Sequence, residues 1–427
     1  MLYNDLPASD QIARIMTLIY EGGLTTTSGG NISIRESNGD IWITPAALDK
    51  GNLKPEHVVC VHSDGTVSGD YSPSSELPFH RAIYESRPDI RAVIHAHPPA
   101  LVSYSIVRKK PDTSVIPQVL SVCGQVGYAN YRLPGTSELG ESIAREFGSG
   151  FNCLVMENHG TVVGGNDSDQ AFQRFETLEF CARTLIRAHQ IGRVNRLSEN
   201  QLARYENASD EMEVLQSRDQ IPDEDRVREE ICAYVKRACK RKLMISSYGT
   251  VSVRLNSDRF IITPNGTNRY SLKPEDLVLI DHGLKEAEKK PSRSVGIHLR
   301  IYKRHAHINC IISTQAPNAT AFCVSGKTMD THTIPESYFL LNDIKMVPYG
   351  SQFGESDVIA KSLTKETPVL LIRNDSILTT GGTILQAFDR LEVAEFGAQS
   401  LIDAGSIGKM VPISNSDIQQ IREKFMS

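Results

Sequence analysis

The chain has 427 residues, 40% of them hydrophobic and 23% charged, a composition typical of a soluble globular protein with two or three domains. Its net charge of −5 argues against a nucleic-acid or anionic-membrane partner, because there is no basic excess to release counterions. No run reaches the roughly 18 apolar residues that a membrane-spanning helix needs. Residues 1–16 lack the basic and apolar segments of a secretory signal. These observations predict a cytoplasmic protein.

The cysteines are scattered along the chain and form no Cys-x-x-Cys pair. They are the eight residues at positions 60, 123, 153, 181, 232, 239, 310 and 323. Most lie in apolar runs with the pattern of a strand or a helix, such as residues 152–156. We therefore expect buried free thiols in a reducing compartment rather than disulfides.

The first part of the chain alternates between helical and strand-like patterns. Residues 10–23 have an apolar residue every three to four positions and end in Gly22 and Gly23, which predicts a helix. Amphipathic helices are also expected at 75–88 and 167–192. Strands are expected at 30–35, 40–45, 58–65 and 92–97. The alternation predicts an α/β domain whose central sheet has helices on both faces.

The loop before the first strand contains Ser28, Gly29, Gly30 and Asn31. A glycine pair beside a hydroxyl and an amide suits an anion, although most loops of this kind hold no ligand. The chain has neither a Walker A motif nor a G-x-G-x-x-G motif followed by a helix. Nucleotide binding is therefore not indicated.

Glu76 follows Ser74 and Ser75 at the expected start of a helix. An acid there is commonly a first-turn residue favoured by the helix dipole. Near a divalent cation it would instead work as a general acid/base, or as a fourth ligand that substrate displaces. The serines and the backbone N–H groups at this helix start would suit a phosphate.

Three histidines are candidate metal ligands. His95 and His97 lie two positions apart in a strand-like run that Pro98 and Pro99 end, so both project from one face. The alternative is a solvent-exposed or hydrogen-bonded pair. His159, after another apolar run, would on its own be a capping or hydrogen-bonding residue. Together the three would fill three positions of a zinc tetrahedron and leave the fourth for substrate.

The chain contains an internal repeat. Residues 43–59 match 262–278, 79–100 match 297–319, and 170–188 match 386–404, at separations of 216–219 residues. We expect a first copy at 1–192, a polar and partly helical linker at 193–225, and a second copy at 226–427.

The first copy resembles the class II aldolase/adducin family, in particular its fuculose-1-phosphate aldolase-like members. The resemblance rests on SGGNISIR, ITPAALDKGNLKPEHVV, SSELPFHRAIYESRPDIRAVIHAHPPA and MENHG, in the family's order and spacing. It covers nearly all of residues 8–190 and extends weakly over 226–406. It implies two tandem α/β domains, each with a central, mainly antiparallel sheet flanked by helices on both faces.

The resemblance also implies roles for the candidate residues. The three histidines would bind one Zn²⁺ per chain and Glu76 would be the acid/base. A substrate phosphate would be bound by Ser28, Gly30, Asn31, Ser74 and Ser75. The implied activity is that of a zinc-dependent aldehyde-lyase, which cleaves a small phosphorylated ketose to dihydroxyacetone phosphate and an aldehyde through a metal-bound enediolate.

Other members of the family give the alternatives. A pentulose-phosphate 4-epimerase uses the same zinc and the same enediolate, so the sequence barely separates it from an aldolase. An oxo-acid phosphate decarboxylase is a third enzymatic alternative. A non-enzymatic adducin-like scaffold is disfavoured for the first copy, because His95, His97, His159 and Glu76 are all present.

The second copy lacks this set of residues. At the aligned positions Ser313, Gln315, Asp375, Ser294 and Thr250 replace His95, His97, His159, Glu76 and Asn31. We expect a degenerate domain without metal ligands. Because the family's active site lies between neighbouring subunits of a four-fold ring, we also expect a homodimer that forms a pseudo-tetramer, with the second copy supplying a partner surface.

Overall fold

The structure, a computed structural model, describes residues 5–207, 212–216, 222–354 and 356–425. It divides into two compact units, one of residues 1–114 and 118–183 and the other of 115–117 and 184–427. The division falls inside a long helix, before the predicted boundary after residue 192. Within the predicted linker, residues 208–211 and 217–221 lie outside the described residues.

The first copy forms helices and strands in alternation. Its helices are α1 (Ala8–Glu21), α2 (Leu77–Ser86), α3 (Pro99–Ile106), α4 (Pro117–Cys123), α5 (Ser137–Gly148) and α6 (Ser168–Ile191). Its strands are β1 (Asn31–Arg35), β2 (Ile41–Ile43), β3 (Val59–Val61), β4 (Val67–Ser68), β5 (Ala92–Ala96), β6 (Val126–Ala129), β7 (Cys153–Met156) and β8 (Gly160–Gly165).

Within the described residues, these strands form one sheet in the order β4-β3-β2-β1-β5-β8-β7-β6. Neighbouring strands are antiparallel except β6 and β7, which are parallel. The central strand β5 lies between β1 and β8, and its register sets Asn31 opposite His95. Residues far apart in the chain therefore meet at the end of β5.

The second copy repeats this architecture after helix α7 (Glu199–Asn207). Its helices are α8 (Glu224–Lys240), α9 (Val295–Arg304), α10 (Pro317–Ser325), α11 (Pro335–Leu341), α12 (Val358–Ser362), α13 (Ile384–Ile407) and α14 (Asn415–Phe425). Its strands are β9 (Thr250–Arg254), β10 (Arg259–Ile262), β11 (Val278–Asp281), β12 (Leu284–Lys285), β13 (Cys310–Thr314), β14 (Lys345–Val347), β15 (Val369–Ile372) and β16 (Ile377–Gly381).

The two sheets have the same strand order. In the second, the described strands run β12-β11-β10-β9-β13-β16-β15-β14, again with only the last pair, β14 and β15, parallel. In the first copy α2 and α5 pack over one face of the sheet, around a core that includes Phe79, Ile83, Ile143 and Phe147. The predicted fold class, two tandem α/β domains with mainly antiparallel sheets and flanking helices, is confirmed.

A buried acid fixes the helix that follows the central strand. The strand β5 ends at Ala96, and α3 begins at Pro99, whose fixed φ suits the first turn of a helix. The carboxylate of Glu179 on α6 accepts the backbone N–H groups of Ala100 and Leu101, at 3.2 and 3.0 Å. These bonds satisfy donors that the first turn of α3 leaves without partners.

The remaining global predictions concern the thiols and membranes. All eight cysteines are buried and free, as predicted. Among the helices of the described residues, none combines the length and the apolar composition needed to cross a bilayer.

Candidate metal centre

The three candidate histidines converge at one end of the first sheet. His95 lies in β5, His97 follows the end of that strand, and His159 lies in the turn between β7 and β8. One ligand nitrogen from each lies within 4.8 Å of the others. The antiparallel pairing of β5 with β8 brings His159 to the other two, across more than sixty residues of sequence.

The histidines are held neutral and oriented for a cation. The Nδ1–H of the fully buried His95 donates to the carbonyl oxygen of Thr161 at 2.8 Å, which directs Nε2 toward the other two rings. Burial lowers the pKa of His95, His97 and His159, so each ring keeps a lone pair for a metal. Among the described residues, the buried Nε2 atoms of His95 and His97 have no hydrogen-bond partner.

Glu76 lies immediately before α2 and directs its carboxylate at the histidines. Its Oε2 is 3.3 Å from His95 Nε2, outside hydrogen-bond geometry, and its Oε1 is 3.5 Å from His159 Nε2. Two ligands of one tetrahedral zinc ion, each at 2.0–2.1 Å, lie about 3.3 Å apart. The two distances from Glu76 have this spacing, and the three neutral histidines, whose ligand nitrogens lie within 4.8 Å of one another, are the donors that a zinc ion takes.

Three of the five predicted phosphate-binding residues lie against this cluster. Gly30 has φ +76°, and a Cβ there would lie 2.7 Å from the carbonyl oxygen of His95, so only glycine fits. Asn31 is buried, and its side-chain N–H donates to Glu76 Oε2 at 2.7 Å. The Ser74 hydroxyl accepts the backbone N–H of Glu76 at 3.3 Å.

The other two predicted residues are more accessible. Ser28 and Ser75 are exposed, the first in the loop before β1 and the second in the turn before α2. Their hydroxyls are therefore open to a ligand, whereas the side chain of Asn31 is already hydrogen-bonded within the protein.

Gly160, the first residue of β8, allows His97 to approach. A Cβ at this position would lie 2.6 Å from the carbonyl oxygen of Ala96 and 2.7 Å from Cδ2 of His97. We expect Gly160→Ala to displace His97, lower metal content and reduce stability by about 1–3 kcal/mol. Metal analysis and thermal unfolding measure both effects. Gly148→Ala is the control, because a Cβ there meets nothing within 4 Å; equal metal content in both variants would contradict the prediction.

Within the residues that the structure describes, the second copy has no equivalent group of histidines. Ser313, Gln315 and Asp375, at the positions aligned with the three histidines, are buried. Among the described residues, the groups of three or more possible metal ligands lie in the first copy. The three aligned positions of the second copy, all among the described residues, therefore carry no imidazole.

Helix α7 packs against the corresponding region of the second copy. Arg293, aligned with Ser75, donates to the carbonyl oxygen of Tyr205, and its guanidinium lies 3.9 Å from the centre of the Tyr205 ring. The Tyr349 hydroxyl donates to the carbonyl oxygen of Gln201 at 2.8 Å. Burial raises the pKa of Tyr205, whose hydroxyl also lies near Asp375.

The aligned surface of the first copy is open. Tyr131, aligned with Tyr349, is 50% exposed and Leu133 is 64% exposed. This stretch lies beside Ser75, since a Cβ on Gly135 would be 3.4 Å from the Ser75 carbonyl oxygen. The linker helix thus covers in the second copy a surface that the first copy leaves accessible.

Comparison with known proteins identifies the fold family. The family model of the class II aldolase and adducin N-terminal domain matches residues 10–186 and 229–402. The chain belongs to the class II aldolase and adducin family. Both copies match, so the duplication predicted from the internal repeat is a duplication of this domain.

Several curated class II aldolase relatives are similar to part of the chain. One is a 5-deoxy-D-ribulose 1-phosphate aldolase of Bacillus thuringiensis, 34% identical over 43% of this chain and 86% of its own length. Another is a 3-oxo-tetronate 4-phosphate decarboxylase of Escherichia coli, 31% identical over 42% of this chain and 85% of its own. A third is an L-fuculose phosphate aldolase of Methanococcus maripaludis, 32% identical over 40% and 93%.

The first class II aldolase domain contains a second group of possible ligands, which sequence reasoning did not single out. Asp40, Cys60 and His62 lie together near β2 and β3. Here His62 is already hydrogen-bonded at both ring nitrogens, to Asp40 at 3.0 Å and to Ser68 at 2.7 Å. In the second domain Arg259 and Asp281 form an ion pair at the aligned positions. We therefore interpret this group as a set of side-chain hydrogen bonds that joins neighbouring parts of the sheet.

Sequence reasoning also missed His80 on α2. Its Nε2 is 2.5 Å from Asn31 Oδ1, and its Nδ1 is 2.6 Å from Ser33 Oγ. The signal was present, because both class II aldolase domains have a histidine at this point of a repeated block, His80 and His298. A polar residue kept in both copies on a buried helix face indicates a specific partner.

Proposed function

We propose that the chain is a zinc-dependent aldehyde-lyase that cleaves a small phosphorylated ketose to dihydroxyacetone phosphate and an aldehyde. The observation that carries the proposal is the convergence of three neutral histidines, with the Glu76 carboxylate 3.3 and 3.5 Å from the Nε2 atoms of His95 and His159. Two of the similar proteins are named as sugar-phosphate aldolases, which supports this substrate class.

His95, His97 and His159 would hold the zinc ion. Bound there, zinc would supply Lewis-acid stabilisation of the negative charge that develops on substrate oxygens during cleavage. Glu76 would carry the proton to and from the substrate carbon, because its carboxylate is close enough to the histidines to reach a molecule bound beside them. Asn31 orients that carboxylate through its hydrogen bond to Oε2.

The substrate phosphate would lie at the start of α2. Ser28 and Ser75 offer exposed hydroxyls, and backbone N–H groups at the N-terminus of a helix favour an anion. Ser74, Gly30 and Asn31 would complete this phosphate site. A phosphate bound there would hold the substrate so that its reacting carbon lies against the Glu76 carboxylate.

A second candidate is decarboxylation of an oxo-acid phosphate, which the similarity to a 3-oxo-tetronate 4-phosphate decarboxylase favours. It would use the same histidines, since charge again develops on an oxygen next to the breaking carbon–carbon bond. A pentulose-phosphate 4-epimerase is a further enzymatic alternative. An adducin-like scaffold without catalysis would need neither neutral histidines nor a carboxylate held against them.

A substrate panel separates these candidates. Purified, zinc-loaded protein is incubated with ketose 1-phosphates, 3-oxo-tetronate 4-phosphate and a pentulose 5-phosphate, and is assayed for dihydroxyacetone phosphate, carbon dioxide and the epimer. We expect dihydroxyacetone phosphate from a ketose 1-phosphate, lost after chelation and restored by zinc. Carbon dioxide or epimer alone would replace the lyase assignment, and no turnover of any of them would favour the scaffold.

The assembly and location are also proposals. We propose a homodimer, so that two chains provide four family domains in a pseudo-tetramer. Light scattering after size-exclusion chromatography tests it: a monomer with full activity would refute it. The free, buried cysteines support a reducing, cytoplasmic location.

A further inference from the structure

A series of hydrogen-bonded polar side chains connects Glu76 with Tyr84 on α2. Asn31 donates to Glu76 Oε2 at 2.7 Å, and the Oδ1 atom of Asn31 lies 2.5 Å from Nε2 of His80. On the far side of the ring, Nδ1 of His80 lies 2.6 Å from the hydroxyl of Ser33, which is 2.7 Å from that of Tyr84. No predicted role accounts for the last three residues.

The carboxylate determines the direction of these hydrogen bonds. Glu76 Oε2 accepts a hydrogen bond from the NH₂ group of Asn31, so the amide oxygen of Asn31 faces His80. Nε2 of His80 must then carry the ring proton, and Nδ1 accepts the proton of Ser33. Complete burial lowers the pKa of His80 to about 3, which keeps the ring neutral.

The second copy retains half of this chain. Its Ser252, His298 and Tyr302 repeat the first-copy contacts, with Ser252 Oγ 2.7 Å from both His298 Nδ1 and the Tyr302 hydroxyl. Thr250 replaces Asn31, and its hydroxyl pairs with Ser292 instead. Within the described residues, the buried Nε2 of His298 has no hydrogen-bond partner.

The two ring nitrogens of this histidine have different surroundings in the two copies. The Nδ1 side, shared by both copies, holds α2 or α9 to its sheet. Within the described residues, the Nε2 atom has a hydrogen-bond partner in the first copy, which contains Glu76. It has none in the second copy, where Ser294 is aligned with Glu76. A purely structural histidine would have no reason for this difference.

We propose that His80 is a positioning residue for Glu76, which it orients through Asn31. Its Nε2–H fixes the amide of Asn31, and the amide holds Oε2 so that the carboxylate keeps its place against His95 and His159. The role in turnover rests on the proposed function. Loss of the link would free the carboxylate to rotate away from the proton it transfers, and a misplacement of about 1 Å can cost 10²-fold in rate.

The test compares His80→Asn, His80→Gln and the matched His298→Asn. Asparagine keeps a polar group near the Nδ1 position and has no atom at Nε2, whereas glutamine places an N–H near Nε2. For His80→Asn we expect kcat to fall about 10–100-fold, with KM nearly constant and zinc content unchanged. We expect His80→Gln to recover most of kcat, and His298→Asn to match His80→Asn in stability but the wild type in activity.

Three results would overturn the proposal. Equal kcat values for His80→Asn and His298→Asn would make His80 structural. A rise in KM at constant kcat would mean that the link from His80 to Asn31 serves substrate binding and does not orient Glu76. Failure of His80→Gln to recover any of the activity lost in a folded His80→Asn would rule out the Nε2 link.

A measurement without substrate separates this proposal from the proposed function. In ¹⁵N spectra of histidine-labelled protein, with the signal of His80 assigned from the variants, we expect the proton on Nε2. A proton on Nδ1 refutes the positioning chain, whatever the protein catalyses. A wild type that turns over none of the substrate panel, with the proton of His80 on Nε2, refutes the lyase function and leaves the orientation of Glu76 in place.

Discussion

We expect the His97→Ala variant to lose bound zinc and, with it, the proposed lyase activity. His97 supplies one of three convergent ring nitrogens, and its buried Nε2 has no hydrogen-bond partner among the described residues. Changes to residues that only support a metal ligand cost 10–100-fold in affinity, so loss of a ligand itself will cost more. Metal analysis by mass spectrometry should give about one zinc ion per wild-type chain and almost none in the variant.

The second copy provides a matched control for this change. Gln315 is aligned with His97, follows the end of β13 as His97 follows the end of β5, and is buried. We expect Gln315→Ala to keep the wild-type zinc content and activity. Two zinc ions per wild-type chain, or loss of metal in Gln315→Ala, would show that the second copy binds metal. Wild-type protein that takes up no zinc would refute the metal centre.

The second large effect is expected for Glu76→Gln. The amide keeps an oxygen that Asn31 can bond and nearly the same volume, but it cannot accept a proton from substrate. General acid–base catalysis by a positioned side chain contributes about 10²–10⁴-fold, so kcat should fall by that factor. Steady-state kinetics and the rate of hydrogen exchange at the substrate carbon should decline together.

Metal content distinguishes the two possible roles of Glu76. If the carboxylate is only the proton carrier, the glutamine variant will retain wild-type zinc. A large loss of zinc would make Glu76 a ligand, as its 3.3 and 3.5 Å distances to two histidine nitrogens also allow. Ser294→Ala, at the aligned position of the second copy, should change neither quantity. Wild-type kcat in Glu76→Gln would contradict both roles.

The sequence was sufficient to predict the fold because the repeat gave two versions of one pattern. Apolar periodicity located the helices, and the repeated blocks located the second domain. Alternation along a strand explained His95, but β5 ends at Ala96, so His97 lies beyond the regular strand. The convergence of His159 depends on the register of β5 with β8, which no local spacing encodes. Only the family resemblance could predict it.

Long-range side-chain contacts were beyond the reach of the sequence. The hydrogen bonds from Asn31 to Glu76 and to His80 join β1 to the start of α2, and they depend on how the helix packs on the sheet. The packing of α7 against Arg293 could not be predicted either, because the sequence of the linker indicates only a polar and partly helical segment. The one trace of these contacts in the sequence is the histidine at equivalent positions of the two copies, His80 and His298.

The contact between the linker helix and the second copy also bears on the history of the duplicated chain. Histidines introduced at positions 313, 315 and 375 would not remove α7 from the second copy, where Tyr205 of this helix stacks against Arg293. Access to that surface would also require α7 to move and Arg293 to be replaced by a smaller residue, such as the serine at the aligned position 75. Recovery of a metal centre in the second copy would therefore take changes at the three aligned ligand positions, at Arg293 and in the linker helix together.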